Sequence, residues 1–229
     1  MCGRYNLFTS AAELNRLFGV MFADDLQPRY NIAPTQTVPV VRRLDNQRRL
    51  TAMRWGLVPS WAQDIKIGYR MINARAETIT EKNSFKTAFR RRRCLLPASG
   101  FYEWKKLDAK SKQPYHITLA NGEPFAFAGL WESWRGPPDN PLSEPLLTCT
   151  IITTAANELL GELHDRMPVI LPREHYELWL DPSFEALGPL QELLVPYAAD
   201  DMQAVPVKPL VGNVKNDTPA CVEEIEVAT

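Results

Sequence analysis

The spacing of apolar residues predicts a short amphipathic helix near the start of the chain. Leu14, Leu17 and Phe18 follow the i, i+3, i+4 spacing of one helix face. Ser10 followed three positions later by Glu13 is typical of a capping box, in which side chains satisfy the first free N–H groups of a helix. We therefore expect a helix to begin directly after Ser10.

Alternating and β-branched stretches predict strands in the next part of the chain. Residues 37–43 and 49–55 have this character, and the polar pair Asp45-Asn46 between them predicts a turn. Residues 146–153 form a further strand candidate. Neighbouring strands joined by such a short turn are expected to pair in the antiparallel sense.

The dipeptide Asn121-Gly122 is the strongest short hairpin signal in the sequence, and it predicts a hairpin between strands at 115–119 and 124–131. The 19 scattered prolines argue against long helices or a regular βαβ repeat. We therefore expect one α+β domain over residues 1–229 with a largely antiparallel core. Short helices are predicted at 84–92, 155–160, 173–180 and 184–194.

Composition narrows the function classes. With 229 residues and 45% apolar content the chain can build a substantial core, and it has neither a long apolar run nor a basic leader followed by one. We expect a cytoplasmic protein without membrane contact. Neither CxxC pairs nor an HExxH pattern occur, so no metal or other cofactor is expected. The cysteines and histidines are Cys2, Cys94, Cys149, Cys221, His116, His164 and His175.

A net charge of −1 conceals a strong asymmetry along the chain. Residues 1–116 hold 21 Lys and Arg against 9 Asp and Glu, whereas residues 117–229 hold 5 against 18. The basic half, with a run of four arginines at 90–93, can neutralise several phosphates of a polyanion. Alternatively, the two halves pair with each other in one folded body.

Cys2 carries chemistry that depends on its position. If Met1 is removed, Cys2 presents a thiol and a free α-amine on adjacent carbons. The α-amine has a pKa of about 7.7–8.0, so roughly a tenth of it is a neutral nucleophile at pH 7. Such an amine attacks aldehydes to form an imine, which the neighbouring thiol can close to a thiazolidine. The alternative is that the thiol is unused.

Three further segments contain side chains suited to catalysis or phosphate binding. Strand alternation places Asn73 and Arg75 on one face. Glu103 lies among aromatic residues, and apolar burial raises a carboxyl pKa toward the range of a general acid or base. His164 precedes Pro168 in a segment expected to be an extended turn. Each segment taken alone also fits an ordinary structural role.

Together, seven segments in this order resemble the SRAP family of abasic-site processing proteins, over residues 2 to about 217. The resemblance implies a compact domain with a β-barrel-like core and a positively charged groove. It also implies covalent capture of abasic sites in single-stranded DNA through Cys2, by a protein that acts as a monomer. The segments are Met-Cys-Gly-Arg-Tyr at 1–5, Arg-Tyr-Asn-Ile-Ala-Pro at 29–34, Trp-Gly-Leu-Val-Pro at 55–59, Ile-Asn-Ala-Arg-Ala-Glu at 72–77, Gly-Phe-Tyr-Glu-Trp at 100–104, His-Asp-Arg-Met-Pro at 164–168 and Val-Gly-Asn-Val-Lys at 211–215.

The resemblance also implies roles for individual residues. Asn73 would position the deoxyribose oxygens, Glu103 would shuttle protons, and His164 would assist opening of the sugar ring. The imine can instead undergo β-elimination, a lyase side reaction, and loss of Met1 can be autoproteolytic, as in a peptidase. The DNA-binding candidates are Trp61, Arg75, Thr153 and Arg166, with Arg4 as a weaker one.

Trp61 lies in a polar loop, where an exposed tryptophan can stack on a base or separate a duplex. Some relatives have a Trp-Trp pair here, whereas this chain has Trp61-Ala62, which puts the duplex-separating role in question. The other tryptophans considered, Trp104, Trp131 and Trp179, are expected in the core.

Two other function classes share the features of the N-terminus. Class II glutamine amidotransferases also begin with Met-Cys-Gly, although that class leaves Glu103 and the His164 segment without a role. A passive single-strand binder would bind intact and abasic strands alike and would form no species that survives denaturation.

Overall fold

The computed structural model describes residues 2–22, 26–108 and 111–226, and their fold is α+β. In these ranges, the α-helices are α1 (Ala11–Phe18), α2 (Lys86–Arg91), α3 (Glu158–Gly161), α4 (Tyr176–Leu180) and α5 (Leu187–Glu192). The strands are β1 (Tyr5–Leu7), β2 (Arg29–Ile32), β3 (Thr37–Leu44), β4 (Gln47–Trp55), β5 (Asn73–Arg75), β6 (Arg93–Ala98), β7 (Gly100–Lys106), β8 (Lys112–Leu119), β9 (Phe125–Trp134), β10 (Leu146–Ala155), β11 (Arg166–Pro168) and β12 (Met202–Pro206).

Five strands close into a barrel. The order is β10, β4, β3, β6, β9 and back to β10, because β9 and β10 also pair with each other. Only β10 makes parallel pairings among the described strands, with β4 and with β5, so the expected largely antiparallel, barrel-like core is confirmed. The short strands β5 and β11 extend the barrel along β10.

A second sheet packs beside the barrel in the order β12, β8, β7, β1, β2, and its pairs are all antiparallel. Its central strand β7 and the barrel strand β9 contribute buried aromatic rings to one core. Phe101 of β7 and Phe127 of β9, for example, meet edge to face with ring centroids 5.9 Å apart. Because β1 pairs with β7, this packing holds the first strand of the chain next to the barrel.

The predicted first helix and first strand pair are confirmed. Ser10 caps α1, its hydroxyl accepting from the backbone N–H of Glu13. The β3 and β4 strands pair along their length, and Asp45 and Asn46 connect them with positive φ angles of 49° and 60°. Two positive φ angles match the twist of a tight hairpin, which explains the polar pair there.

The predicted hairpin around Asn121-Gly122 is wrong. The dipeptide does turn the chain, with Gly122 at φ 71°, but β8 pairs with β7 and β12 while β9 pairs with β6 and β10. The turn therefore carries the chain from one sheet to the other. The reason lies in the strands: β9 is buried at nearly every position and must be covered on both faces, which the barrel provides.

The four later helices are confirmed with shorter bounds. Helix α3, predicted at 155–160, begins later than expected because Ala155 still belongs to β10. The side chain of Asn157 caps α3 by accepting from the N–H of Leu160 at 2.9 Å. The segment 173–180 starts as a 3₁₀ turn (Arg173–His175) before α4. Of the tryptophans expected in the core, Trp179 is fully buried and Trp131 is half-buried against the same main core, whereas Trp104 is half-buried against a smaller cluster around Tyr102.

The two oppositely charged halves pair extensively with each other. Arg43 and Arg48 share the carboxylate of Glu177, which lies in the acidic half. Arg93 is only 3% exposed, and its guanidinium donates to backbone carbonyls, so the expectation that it binds phosphate is wrong. Further pairs between the halves are Arg29–Asp217, Arg91–Glu185 and Arg92–Glu132.

Within the described ranges, no helix is long and apolar enough to cross a membrane. The same ranges contain no group of three or more His, Cys, Asp or Glu side chains placed to hold a metal ion.

Candidate active site around Cys2

Strand β10 brings two of the predicted segments together. Along one edge, β5 pairs with it so that Asn73 lies opposite Ile151 and Arg75 opposite Thr153. Along the other edge, β11 places Pro168 opposite the same Thr153. The Asn73 segment and the His164–Pro168 segment therefore flank one point of β10, although they are far apart in the sequence.

Asn73 connects this point to the N-terminus. Its side-chain Nδ2 donates to the carbonyl oxygen of Cys2 at 2.9 Å. Its Oδ1 is buried and has no hydrogen-bond partner among the described residues. The strand is fixed next to Asn73 by Trp55, whose indole Nε1 donates to the carbonyl of Ile72 at 2.9 Å. Asn73 is thus a rigidly held donor with an acceptor available for a ligand.

Cys2 is fully buried, and its surroundings keep the thiol protonated. Burial raises the pKa of the thiol well above its usual value, and the negative charge of nearby Glu103 raises it further. All four cysteines are free and buried. The environment of Cys2 therefore suppresses the thiolate, in contrast to a cysteine protease, where the cysteine is activated by a lowered pKa.

Glu103 lies in β7 and is 4% exposed. Burial raises the pKa of its carboxyl, and the nearby positive charge available on His164 opposes part of that shift. A buried carboxyl with a raised pKa can give and take a proton near neutral pH. The prediction that aromatic surroundings bury Glu103 is confirmed; its catalytic role stays a prediction.

The strand that carries Glu103 is tightly fitted to its neighbour β8. At Gly100, a β-carbon would come within 2.3 Å of Nε2 of His116, so only glycine fits. That imidazole nitrogen is hydrogen-bonded to Nδ2 of Asn6 at 2.9 Å, and burial lowers the pKa of His116 to about 4. His116 is therefore a neutral, structural histidine that packs against β7 at Gly100.

His164 is half-buried at the start of the extended segment. The backbone N–H of Arg166 donates to its Nδ1 at 3.0 Å, which in the neutral ring places the proton on Nε2. The carboxylate of Asp165 is 2.8 Å from the same Nδ1 and stabilises the ring when it is charged. The segment thus holds the imidazole in a fixed orientation through its Nδ1.

Arg166 is held by protein groups. Its guanidinium makes two bonds to the carboxylate of Glu77, at 2.6 and 2.9 Å, and a third to the carbonyl of Thr153 at 2.7 Å. Hydrogen bonding to Arg166 lowers the pKa of Glu77. Thr153 itself is fully buried. This pair fixes the orientation of the guanidinium beside β10.

Arg4 is also engaged within the protein. Its Nη1 donates at 2.8 Å both to Oδ1 of Asn31 and to the carbonyl of Val211. Asn31 is fully buried, and its amide donates to three carbonyls of the segment 211–216. Asp217 completes the network by accepting from the backbone N–H of Asn31 at 2.9 Å.

Arg75 and Trp61 are exposed to solvent. Arg75 is next to the buried Ala74 in β5, so its side chain and that of Asn73 lie on the same side of the strand. Trp61 is 55% exposed and borders a cavity of about 480 Å³ with Asn83, Lys86 and Thr87.

Several residues that organise the site are not among those predicted from the sequence. Glu77 and Asn31 stand within recognised segments, so their presence there was the available signal. Asp217 lies just beyond the last segment, and nothing in the local sequence links it to Asn31. The hydrogen bonds that give these residues their importance connect parts of the chain up to 188 residues apart.

The chain is similar to known proteins over most of its length. Abasic site processing protein YoqW of Bacillus subtilis is 47% identical over 226 residues, covering 97% of this chain and 99% of that protein. Abasic site processing protein HMCES of Xenopus tropicalis is 34% identical, covering 89% of this chain and 68% of that protein. A crystal structure of a protein from Bacteroides thetaiotaomicron matches with a TM-score of 0.86 at 27% identity, over 98% of this chain and 100% of that one.

The sequence model of one family, described as SOS response associated peptidase (SRAP), matches residues 1–214, which is nearly the whole chain. Together with the relatives over most of its length, this match shows that the chain belongs to the SRAP family.

Proposed function

We propose that this protein captures abasic sites in single-stranded DNA by forming a covalent bond through Cys2 once Met1 has been removed. The observation that carries the proposal is the surroundings of Cys2. Nδ2 of Asn73 donates to the carbonyl oxygen of Cys2 at 2.9 Å, and the charge of the buried Glu103 carboxyl raises the pKa of the Cys2 thiol. Relatives named abasic site processing proteins support the assignment of the substrate.

The chemistry uses both nucleophiles of one residue. An abasic deoxyribose is in equilibrium with an open-chain aldehyde, an electrophile that intact DNA lacks. The α-amine of Cys2 adds to the aldehyde carbon, and the resulting carbinolamine loses water to give an imine. The Cys2 sulfur then adds to the imine carbon, the nitrogen takes up the thiol proton, and a thiazolidine results. The net change is one water released, and the second step is favoured because it is intramolecular.

The state of the thiol sets the order of the two steps. Because burial raises the thiol pKa, sulfur is a poor nucleophile in the resting protein, and the amine attacks first. Ring closure then needs a base to remove the thiol proton and an acid to supply one to the imine nitrogen. Glu103 is the buried group suited to both transfers, since its raised pKa lets it hold a proton at higher pH than an ordinary glutamate.

Asn73 and His164 act on the sugar. The available Oδ1 of Asn73 accepts from a deoxyribose hydroxyl while its Nδ2 holds Cys2, so one side chain aligns both reactants. His164 supplies a proton to the ring oxygen when the sugar opens.

Positive charge on both sides of this point suits the phosphates that flank the lesion. Arg75 is exposed and can bind one phosphate directly. Arg166, oriented by Glu77 and Thr153, can contribute a second contact. Arg4 is the weaker candidate by resemblance to the family, and its Nη1, like the guanidinium of Arg166, is bound within the protein. Trp61 supplies an exposed ring for stacking on a base of the single strand.

Two side activities belong to the same chemistry. Before the ring closes, loss of a proton from C2′ of the imine breaks the bond to the 3′ phosphate, which is the lyase reaction, and thiazolidine formation removes the imine that it requires. Removal of Met1 by the protein itself would be the peptidase activity. Neither is the main reaction in this proposal. Removal of Met1 only exposes the amine, and β-elimination competes with formation of the stable thiazolidine.

The proposal is tested by incubating the protein with single-stranded oligonucleotides that contain either an abasic site or an intact base, and then denaturing the samples. We expect a denaturation-resistant species with the abasic strand only, which is lost in Cys2→Ala. Equal, salt-sensitive binding to both strands with no surviving species would instead indicate a passive binder. Release of ammonia from glutamine would indicate an amidotransferase.

A further inference from the structure

Two of the seven recognised segments, 29–34 and 211–215, contribute no side chain to the proposed chemistry, yet both contact the N-terminal part of the chain through Arg4. Nη1 of Arg4 donates at 2.8 Å to Oδ1 of Asn31, in the first segment, and to the carbonyl oxygen of Val211, in the second. These contacts span 27 and 207 positions of the sequence. Arg4 is therefore tied to two distant parts of the chain.

The side chain of Asn31, which accepts from Arg4, is itself held in one orientation. Asn31 is fully buried, and its Nδ2 lies 3.1, 3.0 and 2.6 Å from the carbonyl oxygens of Val211, Asn213 and Asn216. Because an amide nitrogen can only donate and the amide oxygen can only accept, a flipped amide would face these carbonyls with its oxygen. Oδ1 of Asn31 therefore points toward Arg4 in a fixed direction.

Asp217 holds Asn31 from the backbone side. Its Oδ1 accepts from the backbone N–H groups of Tyr30 and Asn31, at 2.5 and 2.9 Å, and its Oδ2 accepts from Nε of Arg29. One carboxylate thus fixes β2, which pairs with β1, to the C-terminal part of the chain. We call this arrangement of Arg4, Asn31 and Asp217 the clasp.

The backbone of Arg4 connects the clasp to the reacting groups. Its carbonyl oxygen accepts from the N–H of Tyr102 at 3.0 Å, and Tyr102 directly precedes Glu103 in β7. The backbone N–H of Arg4 is hydrogen-bonded to the thiol of Cys2. The clasp therefore fixes a residue whose backbone contacts both Cys2 and the strand that carries Glu103.

Cys2 needs such a support once it becomes the first residue. Chain ends are poorly ordered unless contacts hold them, and β1 begins only at Tyr5. The bond from Asn73 holds the carbonyl of Cys2, and the clasp holds the chain two residues further on, at Arg4. A reacting amine that is fixed in this way gains from the high effective concentration of oriented groups.

We propose that Arg4 is a positioning residue that holds Cys2, through the clasp, in place for attack on the aldehyde. The inference rests on the proposed function, because it concerns the step in which the Cys2 amine reacts. Arg4 accordingly contributes to the rate of this step rather than to the affinity for DNA. The role gives a purpose to the segments 29–34 and 211–215, which supply the acceptors for Arg4.

The test separates rate from affinity in Arg4→Ala and Asp217→Ala. Asn31 is kept, because its loss would leave three carbonyls without a donor. The rate is the single-turnover rate of adduct formation at a saturating concentration of abasic single strand. The affinity and its salt dependence come from fluorescence anisotropy on a strand that carries tetrahydrofuran, a stable abasic analogue without an aldehyde.

Both variants should lower the rate, Arg4→Ala by at least about tenfold, and should leave the affinity and its salt slope nearly unchanged. Because both residues act through the clasp, the double variant should be no slower than Arg4→Ala alone. Arg4→Ala should also react more slowly with 2-deoxyribose, the free sugar without phosphates. Arg16→Ala, which removes an exposed arginine from α1, is the control and should match the unmodified protein throughout.

A normal rate in both variants, or additive effects in the double variant, would overturn the role of the clasp. A normal rate of Arg4→Ala at saturation, together with weaker binding and a salt slope shallower by about 0.7, would make Arg4 a phosphate ligand instead. If Arg4→Ala does not fold, Asp217→Ala decides by the same comparison, because its side chain is half-buried and lies at the far end of the clasp.

Failure of the proposed function gives a different result in this design. If the unmodified protein forms no denaturation-resistant species with a natural abasic strand, covalent capture is wrong. If that species forms, and forms equally fast in both variants, only the positioning role of Arg4 is wrong.

Discussion

The side-chain amide of Asn73 donates to the carbonyl oxygen of Cys2 at 2.9 Å, joining two segments 71 residues apart. The bond fixes the backbone of Cys2, and Oδ1 of Asn73, which has no partner among the described residues, leaves an acceptor for the sugar. In this account, Asn73 contributes to the orientation of Cys2 relative to the aldehyde.

Asn73→Asp should therefore slow covalent capture. A carboxylate has no N–H to donate to the Cys2 carbonyl and repels its oxygen, so we expect the single-turnover rate of adduct formation to fall at least about tenfold. Binding of a tetrahydrofuran strand should fall by less than the rate does. Asn121→Asp, the same change on an exposed turn, is the control. A variant that reacts at the normal rate would remove Asn73 from the mechanism.

Glu103→Gln should lower the rate of adduct formation by about 10²- to 10⁴-fold, the usual contribution of a positioned acid or base. Quenched single-turnover reactions at several pH values measure this. The unmodified protein should show a fall in rate at high pH as Glu103 loses its proton, and that pH dependence should disappear in the variant. An unchanged profile with a slower rate would assign Glu103 a structural role only.

The same substitution should stabilise the fold at neutral pH. Because burial raises the pKa of Glu103 in the folded state, the folded protein holds this proton more tightly than the unfolded chain, where the pKa is about 4.3. The contribution of the Glu103 carboxyl to the free energy of unfolding is fully present below the unfolded-state pKa and is lost as pH rises through the folded-state pKa. In urea denaturation, the excess stability of Glu103→Gln should thus be small at pH 4 and grow toward pH 8. The exposed Glu81→Gln should match the unmodified protein.

Arg75→Ala should weaken binding to single strands of any sequence and reduce its salt dependence. If Arg75 binds one phosphate, the slope of log K against log salt should become shallower by about 0.7. Arg16→Ala removes an exposed arginine from α1 and should leave the slope unchanged. A slope unaffected by Arg75→Ala would show that Arg75 makes no phosphate contact.

Local patterns were sufficient to predict most of the elements. Ser10 and Glu13 mark the start of α1, and alternation with the Asp45-Asn46 pair identifies the β3–β4 hairpin, because caps and tight turns depend on adjacent residues. The pairing of β8 and β9 could not be predicted in this way. Asn121-Gly122 specifies a turn, but it does not specify which sheet receives the next strand.

The same limit of local sequence patterns applies to the site. Asn73, Glu103 and His164 could be selected from their segments, but their proximity follows from strand order in two sheets. The resemblance makes both Arg166 and, more weakly, Arg4 candidates for phosphate binding. Only their partners, the Asn31 network and Glu77, reveal how each is held, and such partners lie far away in the chain.

The mass of the product tests covalent capture most directly. The purified protein is mixed with a single-stranded oligonucleotide that contains one natural abasic site, denatured, and weighed intact by mass spectrometry. The account predicts a species whose mass equals that of the protein without Met1 plus the DNA, less one water, and predicts its absence in Cys2→Ala. Free protein alone, or an equal adduct in Cys2→Ala, would contradict it.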